Sequence, residues 1–119
     1  MSIASDLIRG HIDTIILAQL TAEDTYGYQI NKAIRIKTDN QYELKEATLY
    51  SAFKRLEELG LIQSYWGDES TGARRRYYTI TPEGREAYIS LLSDWQNAKS
   101  LIDRLVKEDN REEKEVDYE

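Results

Sequence analysis

Apolar residues recur at helical spacing in four stretches of this chain, and between the third and fourth they fall into two strand-like runs. In the first stretch, Leu7, Ile8, Ile12, Ile15, Ile16, Leu17, Ala18 and Leu20 surround most of a helix expected from Asp6 to Leu20, with Ser5 as its N-cap. A helix apolar on so many sides is buried on more than one of them, leaving one side for its own domain and another for a partner chain. Thr21 to Asp24 is polar and reads as a loop. A second helix is expected from Thr25 to Ile36, with Tyr26, Ile30, Ala33 and Ile34 on one face. Thr38-Asp39-Asn40 has turn chemistry, and Tyr42-Glu43-Leu44 reads as a short extended piece. The third helix is expected from Glu46 to Leu59, on the spacing of Ala47, Leu49, Tyr50, Phe53, Leu56 and Leu59. Gly60 then suits the left-handed position just past its end.

Leu61 to Trp66 and Arg74 to Ile80 read as two strands joined by Gly67 to Ala73. Thr81 suits an N-cap and Pro82 the first helical position of a long last helix, Pro82 to Lys107. Along it Tyr88, Trp95 and Ile102 are spaced by seven, as are Leu91, Ala98 and Leu105. That apolar stripe runs for about three heptads, longer than a small domain covers alone, and implies a packing partner, most simply a second copy. Three helices, a β-hairpin and a long helix give a mainly α chain with a β-hairpin (α+β). The arrangement is a winged helix-turn-helix over residues 1–80 with a C-terminal dimerisation helix over 81–107. Residues 108–119 read as an acidic, disordered, solvating tail.

Composition narrows the classes. The chain has 119 residues, room for one domain plus an appended helix. It has no cysteine, so disulfides and thiolate metal sites are excluded. Nothing resembles a signal peptide, and the apolar run Ile12 to Leu20 is too short to span a bilayer, so a soluble, cytoplasmic protein is expected. The net charge of −6 argues at first against nucleic acid. Its distribution weakens that objection: residues 1–80 carry 10 Lys/Arg against 11 Asp/Glu, whereas 81–119 carry 6 against 11. Ser70 to Ile80 holds three arginines and no acid. DNA responds to the local field, because charges beyond a Debye length of roughly 8 Å are screened.

The residues Tyr26-Gly27-Tyr28-Gln29-Ile30, Glu46-Ala47-Thr48-Leu49-Tyr50, Arg55-Leu56-Glu57, Gly60-Leu61-Ile62, Gly72 to Tyr78 and Thr81-Pro82-Glu83-Gly84 together resemble the PadR family of bacterial transcriptional regulators. The match spans about 60 residues in the family's order, and its specificity lies in the combination. The chain looks like the short branch with a single C-terminal helix, and within it is similar to a lactococcal multidrug-sensing repressor. Tyr65 to Ser70 and Trp95 carry that closer likeness. The resemblance implies a homodimer that represses a nearby gene, often a transporter operon. It also implies release when a flat aromatic compound lies between paired tryptophans of the last helices, the position that Trp95 matches here.

The residues themselves supply candidates for each role. On the third helix, Lys45, Thr48, Ser51, Lys54 and Arg55 fall away from Leu49, Phe53 and Leu56 and suit a major groove, with the Tyr50 hydroxyl within reach of a phosphate. The same set also reads as an ordinary solvated face. Arg74, Arg75 and Arg76 alternate along a strand. If Tyr77 packs inward, Arg75 shares its face, and Arg74 and Arg76 point the other way, toward DNA, with Thr71 and Gly72 at the wing tip. A basic edge that discourages strand-to-strand aggregation is the plain alternative. Leu91, Trp95, Ala98 and Lys99 offer a slot for a planar ligand, faced by Leu7, His11, Thr14 and Ala18 of the first helix. In the bland version Trp95 simply fills the dimer seam, which Ile8, Tyr88, Leu92, Ile102 and Leu105 complete. His11 is expected to be packed or partly exposed, Trp66 to lie beneath the hairpin, and Tyr26 and Tyr28 to make core and helix contacts.

The leading functional reading is a dimeric repressor of a palindromic double-stranded operator. Its recognition helices would meet successive major grooves about 34–36 Å apart, and a small aromatic ligand would act at the dimer interface. A winged-helix protein-docking module without a DNA role is the alternative, consistent with a pI of 4.9. An enzyme is disfavoured by the single histidine and the lack of cysteine, and no metal or cofactor site is expected.

Overall fold

A computed structural model of the chain describes residues 3–67 and 74–108, with side chains from Asp6 onward. Thr71 and Gly72, and residues 109–119 of the acidic tail, lie outside the described residues. The order is α1 (Ile3–Ile8), a 3-10 turn (Arg9–His11), α2 (Ile12–Ala22), α3 (Gly27–Lys37), α4 (Glu46–Glu58), β1 (Ile62–Trp66), β2 (Arg76–Ile80) and α5 (Pro82–Val106).

The continuous helix expected from Asp6 to Leu20 is instead two helices separated by the Arg9–His11 turn, and Ser5 lies inside α1 rather than capping it. Gly10 sits in the break, a residue that costs about 1 kcal/mol in a helix interior relative to alanine. The second helix begins at Gly27, not Thr25. Thr25 is buried and pairs with β2 instead: its N–H donates to the Tyr78 carbonyl at 3.3 Å, and the Tyr78 N–H donates to its carbonyl at 2.8 Å. The stretch before α4 is held in the same way by a side chain. The Asn31 amide donates to the Leu44 carbonyl (2.7 Å) and its oxygen accepts from the Leu44 N–H (2.8 Å).

The third helix ends as its glycine suggests. Gly60 has φ +77°. The Leu61 N–H donates to the Leu56 carbonyl and the Gly60 N–H to that of Glu57, each at 3.0 Å, which is the Schellman pattern. The chain then turns directly into an antiparallel hairpin that pairs Ile62 with Ile80, Ser64 with Tyr78 and Trp66 with Arg76. Thr81 caps α5: its hydroxyl accepts from the Gly84 N–H at 2.9 Å and donates to the Gly60 carbonyl at 2.8 Å.

One core lies between α2, α3, α4 and the hairpin, built from Ile16, Leu17, Leu20, Ile30, Ile34, Leu49, Phe53, Leu56, Ile62, Tyr78 and Ile80 among others. Phe53 stacks on Tyr78 with ring centroids 3.9 Å apart. The first half of α5 closes it through Ala87, Tyr88 and Leu91. From Lys99 to Glu108 every residue of the arm is exposed. No helix among the described residues is long and apolar enough to cross a membrane.

Candidate nucleic-acid interface

The core burial of Leu49, Ala52, Phe53 and Leu56 fixes the rotation of α4. Ala47, Tyr50, Ser51, Lys54 and Arg55 are therefore outward, Thr48 is half-buried, and Lys45 is exposed at the extended residue that precedes the helix. Thr48, Ser51 and Arg55 turn toward the start of α2. There, with Ala47, Arg9, Gly10, Ile12 and Asp13, they line a cleft of about 530 Å³. Tyr50 and Lys54 lie on the other flank of the stripe. The Tyr50 ring meets Phe53 edge-on at 5.6 Å.

Arg55 is anchored at its guanidinium head. Its guanidinium forms an ion pair with Asp13, with a second contact from Nε at 3.4 Å. The hydrogen bond that Arg55 donates to Asp13 raises the Arg55 pKa above its ordinary value, burial pulls the other way, and the aspartate's charge adds to the rise. Asp13 is 42 residues away in the chain, and no local sequence signal marks the pair.

The hairpin sorts its arginines by strand alternation, with one correction to the premise. Tyr78, not Tyr77, is the core residue of β2. Arg76 therefore shares the core-side face of the hairpin, together with Ile62, Ser64, Trp66, Tyr78 and Ile80. That face is buried at its base and leaves the core behind at its far end: Ile62 is 1% exposed and Trp66 is 51% exposed. Trp66 thus does not lie beneath the hairpin. Arg74 and Arg76 flank its ring, with guanidinium carbons 4.6 and 5.7 Å from the centroid. Arg76 also donates to the Ser64 hydroxyl (2.8 Å) and lies 3.7 Å from Glu57, whose carboxylate accepts from Ser64 at 2.6 Å. This network ties the wing to the end of α4.

The opposite face of the hairpin holds a second aromatic group. Tyr65 stacks on Tyr77 at 5.6 Å, Tyr77 meets Tyr26 at 5.1 Å, and Arg75 lies over Tyr26 at 5.0 Å. The Tyr65 hydroxyl donates to Asp24 at 2.7 Å, a bond that raises its pKa. Tyr26 is thus a packing residue, as expected. Tyr28 is not: it is 62% exposed on α3, flanked by Arg35.

At the other end of the molecule α5 crosses α2. His11 meets Trp95 edge-on with centroids 4.8 Å apart, and the Lys99 ammonium lies 5.9 Å from the indole centroid. Thr14, Ala18, Leu91 and Ala98 are half-buried nearby, and Trp95 remains 38% exposed. Leu7 is farther into solvent, at 71% exposed. Of the seam residues, Ile8, Tyr88 and Leu92 are half-buried, and Tyr88 packs on its own core, whereas Ile102 and Leu105 are exposed.

A recognition-type helix followed by a hairpin with arginines at its far end defines a winged helix-turn-helix DNA-binding protein. The comparisons agree. The model of the PadR-like transcriptional regulator family matches residues 16–89. A transcriptional regulator from Clostridium thermocellum is 54% identical, covering 86% of this chain and 99% of its own, with a TM-score of 0.78. A PadR family transcription regulator from Clostridium difficile is 36% identical over 81% of this chain and 98% of its own, with a TM-score of 0.70. An uncharacterised protein of Lysinibacillus sphaericus is 45% identical over 101 residues, 85% of this chain and 93% of its own. The chain belongs to the PadR-like family of transcriptional regulators. It is a DNA-binding regulator and not an enzyme, so the reading as a docking module without a DNA role is set aside.

Proposed function

We propose that this regulator is a homodimeric, cytoplasmic repressor that leaves its operator when a planar aromatic compound binds between subunits. Residues 1–80 bind DNA, 81–107 dimerise, and 108–119 form a solvating tail. The observation that supports this most is α5 itself. Its first turns close the winged domain, Trp95 stands half-open against His11, and Ile102, Leu105 and Val106 continue as a bare apolar edge. Edges of that kind mark an interface.

On DNA, α4 reads the major groove through Thr48 and Ser51, with Lys45, Tyr50, Lys54 and Arg55 on phosphates and Arg74, Arg76, Thr71 and Gly72 gripping beside it. The ligand lies among Leu7, His11, Thr14, Ala18, Leu91, Trp95, Ala98 and Lys99. Ile8, Tyr88, Leu92, Ile102 and Leu105 complete the dimer. The likeness to the multidrug-sensing branch belongs to this reading. Ligand can act only by preferring the subunit arrangement that does not fit DNA.

The test is fluorescence anisotropy of a labelled duplex from upstream of the protein's own gene, at two salt concentrations, with planar aromatic cations added afterwards. Nanomolar, salt-sensitive binding that a scrambled duplex does not match, lost on adding a compound that quenches Trp95, is the expected result. Quenching with unchanged anisotropy would remove the ligand coupling.

A second expectation concerns Asp13. Asp13→Asn leaves Arg55 without its charged partner, so the operator should be bound about threefold more tightly with a steeper salt dependence, each freed charge adding about 0.9 to the slope. An unchanged slope in the same titration would mean that Arg55 serves the fold alone.

A further inference from the structure

We infer that Trp66 is a positioning residue for DNA binding: its indole is the platform that holds the Arg74 and Arg76 guanidiniums ready for the phosphate backbone. The inference rests on the reading of those arginines as DNA contacts.

Trp66 is the last residue of β1 and pairs with Arg76. Ile62 and Ser64 precede it on the same face, but the core ends beneath them. The ring is left 51% exposed. Among the described residues no core lies under this apolar ring at the strand end. What it does contact is cationic: one guanidinium carbon lies 4.6 Å from its centroid and another 5.7 Å. An arginine over an indole loses rotamer freedom. That freedom would otherwise be lost at the moment of binding, so ordering it beforehand raises affinity without a new contact.

The neighbours set the aim of this plate. Arg76 is held from its other side by Ser64 (2.8 Å) and Glu57 (3.7 Å). Because Glu57 belongs to α4, the plate keeps a fixed register to the recognition helix. The opposite hairpin face also places an arginine over a ring, but a single one, and the ring belongs to the residue before α3. There Arg75 lies over Tyr26, whose ring is itself packed against Tyr77. Trp66 therefore distinguishes the two faces of the wing.

The chain has only two tryptophans, so Trp95→Phe leaves Trp66 as the sole indole reporter. In that background operator DNA should change Trp66 emission. Trp66→Ala should weaken operator binding about five- to tenfold, the size of one to two exposed cation–π contacts, and Trp66→Phe should recover most of the loss. In a variant already carrying Arg74→Ala and Arg76→Ala, Trp66→Ala should cost less than about twofold, because a platform with nothing to hold has no role. Equal losses with and without the arginines, or an unchanged Trp66 emission on saturating DNA, would overturn the inference. The reading beneath it fails separately: if Arg74→Ala with Arg76→Ala leaves DNA affinity intact, the wing arginines are not contacts. Thermal melts of each variant show whether the fold is kept.

Discussion

Replacing Arg74 and Arg76 together with alanine should lower operator affinity by about two orders of magnitude or more and flatten its salt dependence. If a dimer applies two wings to one site, up to four phosphate contacts disappear, and the log–log slope should fall by about 3 to 4. The net charge of −6 sharpens the expectation. A protein with no general attraction for DNA depends on its few local cations, so losing them is not offset elsewhere. Arg75 supplies the control. It carries the same charge one residue away but lies over Tyr26 on the other hairpin face. Arg75→Ala should change the slope by less than half as much as Arg74→Ala. Equal effects from the two would mean that charge density, not the face of the strand, governs binding. Lysine at 74 and 76 separates charge from shape: the slope should be kept, while part of the affinity is lost with the planar stacking on Trp66. Arg76 also joins Ser64 and Glu57, so its share of the loss includes that network.

Much of this molecule is legible in its sequence because its signals are local. The Gly60 turn, the Thr81 cap with Pro82, and helix α4 each depend on residues within a few positions and appear where the pattern put them, although of the α4 stripe only Leu49, Phe53 and Leu56 are buried, while Ala47, Tyr50 and Leu59 are exposed. Asp39 and Asn40 adopt the positive φ that their turn chemistry allows. The departures have non-local causes or weak local ones. Eight apolar residues at helical spacing favour a continuous first helix, and Gly10 alone marks its break. Thr25 looked like a helix start because nothing nearby reveals its bridge to Tyr78. The two hairpin faces were reversed in part because Tyr77 and Tyr78 are equivalent by type. Only the pairing of Ile62 with Ile80 decides which of them meets Phe53. Counting outward from that pair would have placed Trp66 beside Arg76. The ion pair between Asp13 and Arg55 spans 42 residues and had no signature to find.

Gly84→Ala should be the most damaging single methyl group in this chain. A Cβ there would sit 2.0 Å from the Leu61 carbonyl oxygen, 2.7 Å from Ile80 Cγ1 and 3.0 Å from the Leu61 carbonyl carbon. Two of those atoms are backbone, and the oxygen is already committed to the Thr81 N–H at 3.0 Å. The carbonyl cannot turn aside without breaking that bond, and Leu61 also closes the turn that ends α4. The alternative is for α5 to lift from the hairpin, opening the contacts of Ala87, Tyr88 and Leu91 with the core. A cost of about 3 kcal/mol or more is expected, at or beyond the upper end of ordinary overpacking. Against a typical total of roughly 5–15 kcal/mol, that leaves a marginal fold. Two other glycines calibrate the result. At Gly27 the nearest atoms are all side-chain atoms, the Tyr50 hydroxyl (2.9 Å), Leu49 Cδ2 (3.2 Å) and Tyr50 Cζ (3.3 Å); the exposed Tyr50 can swing aside but Leu49 is a core residue, so Gly27→Ala should cost about 1–2 kcal/mol, less than at Gly84. At Gly10 nothing lies within 4 Å, and Gly10→Ala should be neutral or stabilise by up to about 1 kcal/mol through the unfolded chain. Urea unfolding at one fixed protein concentration ranks the three, since dimerisation makes stability concentration-dependent. Because α5 is both the lid of the winged domain and the proposed dimer arm, Gly84→Ala should lose operator binding along with stability. A variant that unfolded like the parent would show that α5 can leave the hairpin freely.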